Sequence, residues 1–139
     1  MDFLKYISTP AGTTEAAPLI TTIKLTRGRL TGGFLYFPAG PAGKLHFIAR
    51  VGIHQIVPFN TGESYRLNDC VVPLDLGITL KTPPYEIDCL TWNDSTEYAH
   101  ALTVCFFLRP MTGRNKEINT IDEMHNQLRR TKKEGYWKP

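Results

Sequence analysis

Residues 83–110, PPYEIDCLTWNDSTEYAHALTVCFFLRP, constrain the fold more than any other stretch of this chain. Tyr85, Ile87 and Cys89 alternate with Glu86, Asp88 and Leu90. Beyond a polar loop at Asn93-Asp94-Ser95-Thr96, Leu102, Val104, Phe106 and Leu108 alternate with Ala101, Thr103, Cys105 and Phe107. A period of two sends successive side chains to opposite faces of a strand, and β-branched and aromatic residues suit a pleated surface. The stretch therefore predicts two strands joined as a hairpin. Its second strand is apolar on both faces, which predicts a central strand covered on both sides. Prolines fence the unit at both ends, as expected where ladder hydrogen bonding stops.

The rest of the chain can be placed around that unit. Residues 19–26, 30–37, 44–51, 53–57 and 70–76 also read as short strands, and 77–81 either continues the last or begins another. Between them stand the breaker PAGPAG at 38–43 and a turn at Asn60-Thr61-Gly62. Gly32-Gly33 predicts a bulge or a close approach of backbones, and Pro73 an edge strand or a bulge. The glycine pair lacks the lysine and following helix of a phosphate-binding loop. About eight close-spaced strands with no helix among them predict an all-β fold, an antiparallel β-sandwich or jelly roll, over 19–110.

The two ends read differently. Residues 1–18 predict an N-terminal arm: Phe3, Leu4, Tyr6 and Ile7 form a short apolar cluster, followed by linker-like sequence from Pro10 to Pro18. Such a cluster is expected to dock on its own domain or on a neighbour. Residues 111–139 form a basic tail that predicts a short C-terminal α-helix. Thr120 and Glu123 have capping-box spacing, Ile121, Met124 and Leu128 share one helical face, and Arg129, Arg130, Lys132 and Lys133 crowd the C-terminal end. A helix this short needs a surface to pack on, either the sandwich or a partner.

Charge follows the same division. Residues 1–108 carry eight Lys and Arg against nine Asp and Glu, whereas 109–139 carry eight against four. A basic tail can contact nucleic acid, but this one has no binding signature and reads better as a solvated or protein-contacting end. With 139 residues, 42% of them hydrophobic, the chain has the size and apolar content of one domain with one core. No run is long enough to span a bilayer, and the N-terminus lacks a secretory layout, so no membrane contact and a cytoplasmic origin are expected. Cys70, Cys89 and Cys105 are odd in number, lack CxxC spacing and sit in apolar strands, the pattern of buried reduced thiols.

Candidate chemistry is sparse. His46 and His54 could lie on adjacent strands as in a cupin, but they lack the close His-x-His pair. Asp69 with Asp75, or Glu86 with Asp88, could meet across a sheet as paired carboxylates, although alternating charge more often marks a strand's wet face. Asn93, Asp94 and Glu97 lack the regular repeat of a calcium loop. No nucleophile elbow, HExxH or GxGxxG is present, so no enzyme activity and no cofactor are expected. The alternative to a purely structural role is a lectin-like module, in which Trp92, Asn93 and Tyr98, with His100 nearby, form a platform for a sugar ring. Against it, Trp92 could instead plug the end of the sandwich.

A wider pattern runs through Phe37-Pro38-Ala39-Gly40, Leu45-His46, and His54 to Asn60 (HQIVPFN). It continues in Pro83-Pro84-Tyr85, Trp92-Asn93 and Tyr98-Ala99-His100. In this the chain resembles small jelly-roll proteins of virions, in particular the capsid decoration (cement) proteins of tailed phages. The resemblance covers about two-thirds of the chain and includes no catalytic signature. It implies a virion-surface protein made in a host cytoplasm, a homo-oligomer (a trimer), and attachment to a larger assembly such as a capsid lattice. The gripping residues would then be Phe3, Leu4, Tyr6 and Ile7 at one end and Ile121, Met124, Leu128, Arg129 and Arg130 at the other.

Overall fold

The structure, a computed structural model, describes residues 1–111. They form eight strands: β1 (Asp2–Thr9), β2 (Leu19–Lys24), β3 (Gly28–Phe37), β4 (Leu45–Val51), β5 (His54–Val57), β6 (Cys70–Leu80), β7 (Glu86–Asn93) and β8 (His100–Pro110). Sheet I has the order β1-β8-β3-β6 and sheet II the order β2-β7-β4-β5. All pairings are antiparallel, and β1 pairs β8, β2 pairs β7, β3 pairs β6 and β4 pairs β5. That nesting is a ribbon folded over on itself, the jelly roll expected from the strand spacing. The expected C-terminal helix, with Ile121, Met124, Leu128, Arg129 and Arg130, lies outside the described residues.

The core lies between the sheets. The inward face of β8 (Leu102, Val104, Phe106 and Leu108) is wholly buried, as are Phe37 from β3 and Phe47 from β4. Each such side chain contributes roughly 1.5–3 kcal/mol by leaving water. Gly32 marks the expected bulge, where β3 shifts register against both β6 and β8. Pro73 sits on β6, the edge of sheet I, where its missing N–H costs no ladder bond.

Three expectations are corrected. The strands of 83–110 are not a hairpin: β7 belongs to sheet II and β8 to sheet I. The loop between them crosses the sandwich, because each strand finds its partners far away in sequence. Residues 2–9 are not an arm but the edge strand β1, paired along its whole length with β8. Phe3 packs on the core and Ile7 is within it, so only Leu4 and Tyr6 of that cluster face solvent. Finally, β8 is covered on one face only among the described residues, since Phe107 on its other face is exposed.

Candidate protein-protein interface

One side of the sandwich is open. β5 is the edge of sheet II and β6 the edge of sheet I, and two clefts run between them. The larger, of about 440 Å³, is lined by Val51, Ile53, His54, Gln55, Ile56, Phe59, Thr61 and Ile78. The second, of about 310 Å³, shares Ile56 and Phe59 and continues along Tyr65, Pro73, Leu74 and Leu76. The β4–β5 turn sets Ile53 at its tip, with Gly52 taking the left-handed conformation (φ 59°) that the turn requires. Ile53 is 91% and Phe59 82% exposed, more than any other large hydrophobic side chain among the described residues.

The backbone on either side of Phe59 is held in place. The Gln55 side-chain amide donates to the carbonyls of Pro58 (2.8 Å), Glu63 (3.0 Å) and Asn60 (3.3 Å). These bonds fold the loop after β5 around one side chain and fix Phe59 beside the open strand edge. Two apolar side chains flanking a cleft, next to an unpaired backbone edge, can accept another protein by apolar burial and strand pairing. From sequence, Ile53 begins the strand expected over 53–57 and Phe59 directly precedes the expected Asn60-Thr61-Gly62 turn. The available signal was an apolar residue within each turn, at Gly52-Ile53 and Pro58-Phe59.

The opposite end of sheet II holds a polar cluster. His46 accepts or donates at both ring nitrogens, Nδ1 to Ser64 Oγ and Nε2 to Asp94 Oδ2, each at 2.7 Å. Its ring stacks on Trp92 at 4.8 Å between centroids, 12° from parallel. Serine, histidine and aspartate are the residue types of a hydrolytic triad, but the arrangement here is that of a clasp. The imidazole lies against an indole face, Nδ1 rather than Nε2 meets the serine, and Asp94 is more than half exposed. The clasp ties the loops after β5 and β7 onto β4.

This cluster bears on the sugar-platform alternative. Trp92 is 7% exposed and covered by His46, so its ring is closed to a stacking sugar, while Tyr98 stands apart in solvent. Asn93 is buried and structural. Its Nδ2 donates to the carbonyls of Thr9 (3.2 Å) and Tyr98 (2.9 Å), and its Oδ1 accepts the Ser95 N–H (3.0 Å). The crossing loop is thereby fixed to the end of β1. The turn expected at Asn93 is present, and what its pattern does not reveal is the long-range bond to Thr9.

The other candidates separate. His54 pairs with Val51 while His46 pairs with Trp92, so five residues of β4, about 17 Å, divide the two histidines. No group of three or more metal-ligating side chains occurs among the described residues. Asp75 lies on the outer face of sheet I; Glu86 and Asp88 lie on that of sheet II, where Asp88 accepts from Thr22 Oγ1 at 2.7 Å. All three cysteines are free, and burial, aided by the Asp88 charge, pushes the Cys89 thiol up to about 12. No helix among the described residues is long and apolar enough to cross a membrane. Comparison of the chain with family models, curated proteins and solved structures finds no match.

Proposed function

We propose that this chain is a structural, non-catalytic protein: a jelly roll that self-associates, as a trimer, and attaches to a larger protein assembly of the capsid-lattice kind. The observation that carries this reading is the pair Ile53 and Phe59, fixed in solvent beside clefts on the open β5–β6 side. Burying both against a partner contributes roughly 3–6 kcal/mol, a factor of about 10² to 10⁴ in association. The jelly-roll strand order, shared by viral capsid domains, lectins and cupins, is compatible with the role. The burial of Trp92 favours this reading over a lectin-like one. The gripping surface differs from the N-terminal arm expected from sequence, because Phe3 and Ile7 are committed to the chain's own core.

Sedimentation velocity on the full chain tests this directly. The expected species is a trimer of about 47 kDa, three times the 15.7 kDa chain. The double variant Ile53→Glu, Phe59→Glu is expected to sediment as a folded monomer. A wild-type protein that stays monomeric at high concentration, or an oligomer indifferent to both substitutions, would overturn the proposal.

A further inference from the structure

The outward faces of the two sheets differ in chemistry. On sheet II, Thr22 and Arg50 stand on either side of Asp88 and Lys24 stands opposite Glu86, so this half of the face is polar, beside one apolar row, Ile20-Leu90-Ile48. On sheet I two adjacent rows cross all four strands and are apolar but for Thr103, Leu4-Cys105-Phe34-Pro73 and Tyr6-Thr103-Tyr36-Val71, while Asp2 and Asp75 share the next row with Phe107. The register sets Leu4 and Tyr6 of β1, Phe107 of β8, Phe34 and Tyr36 of β3, and Val71 of β6 on one surface. Phe34 and Phe107 meet edge to face, with centroids 6.3 Å apart. Leu4 is 65%, Tyr6 66% and Val71 59% exposed, so the apolar surface reaches both edges of the sheet. A contiguous apolar face of this extent calls for an occupant.

We infer that the occupant is this chain's own C-terminal segment, residues 112–139. Its point of departure supports this: β8 ends at Pro110 in the middle of sheet I, and the Met111 N–H donates to Arg27 O at 3.4 Å. The segment thus leaves from the central strand of the bare face, with Phe107 only three residues back. Its length fits as well. Residues 112–119 can span up to about 26 Å, while the far row of the patch, at Thr103, lies about 23 Å along β8 from Pro110. The face is about 14 Å across its four strands and about 14 Å along them, and a helix of 14 residues measures about 21 Å by 10 Å. The apolar positions Ile121, Met124 and Leu128 recur at the spacing that lays one helical stripe on such a surface. The second cover that the two-sided apolar pattern of β8 demands is then supplied by the chain that follows it.

The test is site-specific photocrosslinking in the full chain. A benzoylphenylalanine replaces Tyr6 in one variant and Val71 in another; both positions are exposed, at opposite edges of the face, and tolerate the added ring. The proposal expects adducts of monomer mass that map to peptides within 112–139. It also expects at least a tenfold drop in their yield when Met124→Asp and Leu128→Asp are added. Adducts of dimer mass would assign the face to a second copy and overturn the inference. So would monomer-mass adducts confined to residues 1–111, or none at all from either position. Repeating the experiment with Ile53→Glu and Phe59→Glu separates this inference from self-association, since the intramolecular adduct is expected to persist there.

Discussion

The glycine of the described residues that leaves least room for a Cβ supplies the sharpest test of the fold. Gly33 lies in β3 at φ 156°, and a Cβ built there would land on the carbonyl oxygen of Cys105 in β8, with the Phe106 Cα 3.1 Å away. Gly33→Ala therefore carries two costs. Holding a non-glycine residue in that conformation costs about 2 kcal/mol. Pushing β3 off β8 loosens about two ladder hydrogen bonds at roughly 1 kcal/mol each, beside a fully buried Phe106. The total is about 4 kcal/mol, against a stability of roughly 5–15 kcal/mol for a domain. With a urea slope of about 2 kcal/mol per molar, the midpoint falls by about 2 M. Gly40 is the control. Its φ is 137°, but a Cβ there meets nothing within 4 Å, so Gly40→Ala should show the conformational cost alone and shift the midpoint by about 1 M or less. Equal shifts for the two variants would refute the claim that the β3–β8 approach is limiting.

Other predictions concern the buried polar groups. Asn93→Ala leaves two carbonyls and one N–H without their partner and should cost about 3 kcal/mol in a urea melt; a loss below about 0.5 kcal/mol would mean the corner is not held this way. Cys89 stays protonated in the native state up to about pH 12, while the unfolded thiol ionises near its ordinary value of 9.0. Its contribution to stability is intact below pH 9 and falls by about 1.4 kcal/mol per pH unit from there towards 12. Cys89→Ala should flatten that alkaline slope, and an unchanged slope would contradict it. A fluorophosphonate probe should leave Ser64 unlabelled if the His46 cluster is a clasp; a covalent adduct at Ser64 would make it a hydrolytic site instead.

Much of the fold can be read from local pattern because alternation and turn chemistry are local. The Gly32 bulge, the edge position of Pro73 and the central place of β8 all follow from residue type and period. The hairpin reading of 83–110 fails for a reason of range. Strands adjacent in sequence usually pair, but a jelly roll sends β7 to β2 and β8 to β1, partners more than sixty residues away. β1 was hidden for a related reason. Lys5 interrupts the inward row of Phe3 and Ile7, while Leu4 and Tyr6 place apolar side chains on the outward row, so the alternation disappears until β8 is known to lie alongside. The interface was less legible still. An apolar residue in each turn was the one local hint, whereas the Gln55 bonds around Phe59 and the open β5–β6 side are set by packing that the order of residues does not reveal. Trp92 beside polar loop residues suggested a binding platform, yet the stacking partner that closes it, His46, is contributed by a different strand.

Hydrogen exchange read by mass spectrometry at several protein concentrations tests the central claim most directly. The open edge of β5 is the surface assigned to the partner, so amides of residues 53–59 should slow as concentration rises. Those of the β2 edge, on the other side of sheet II, should keep a constant rate. Exchange at 53–59 that is independent of concentration in a protein known to associate, or protection that develops only at a different edge, would contradict it.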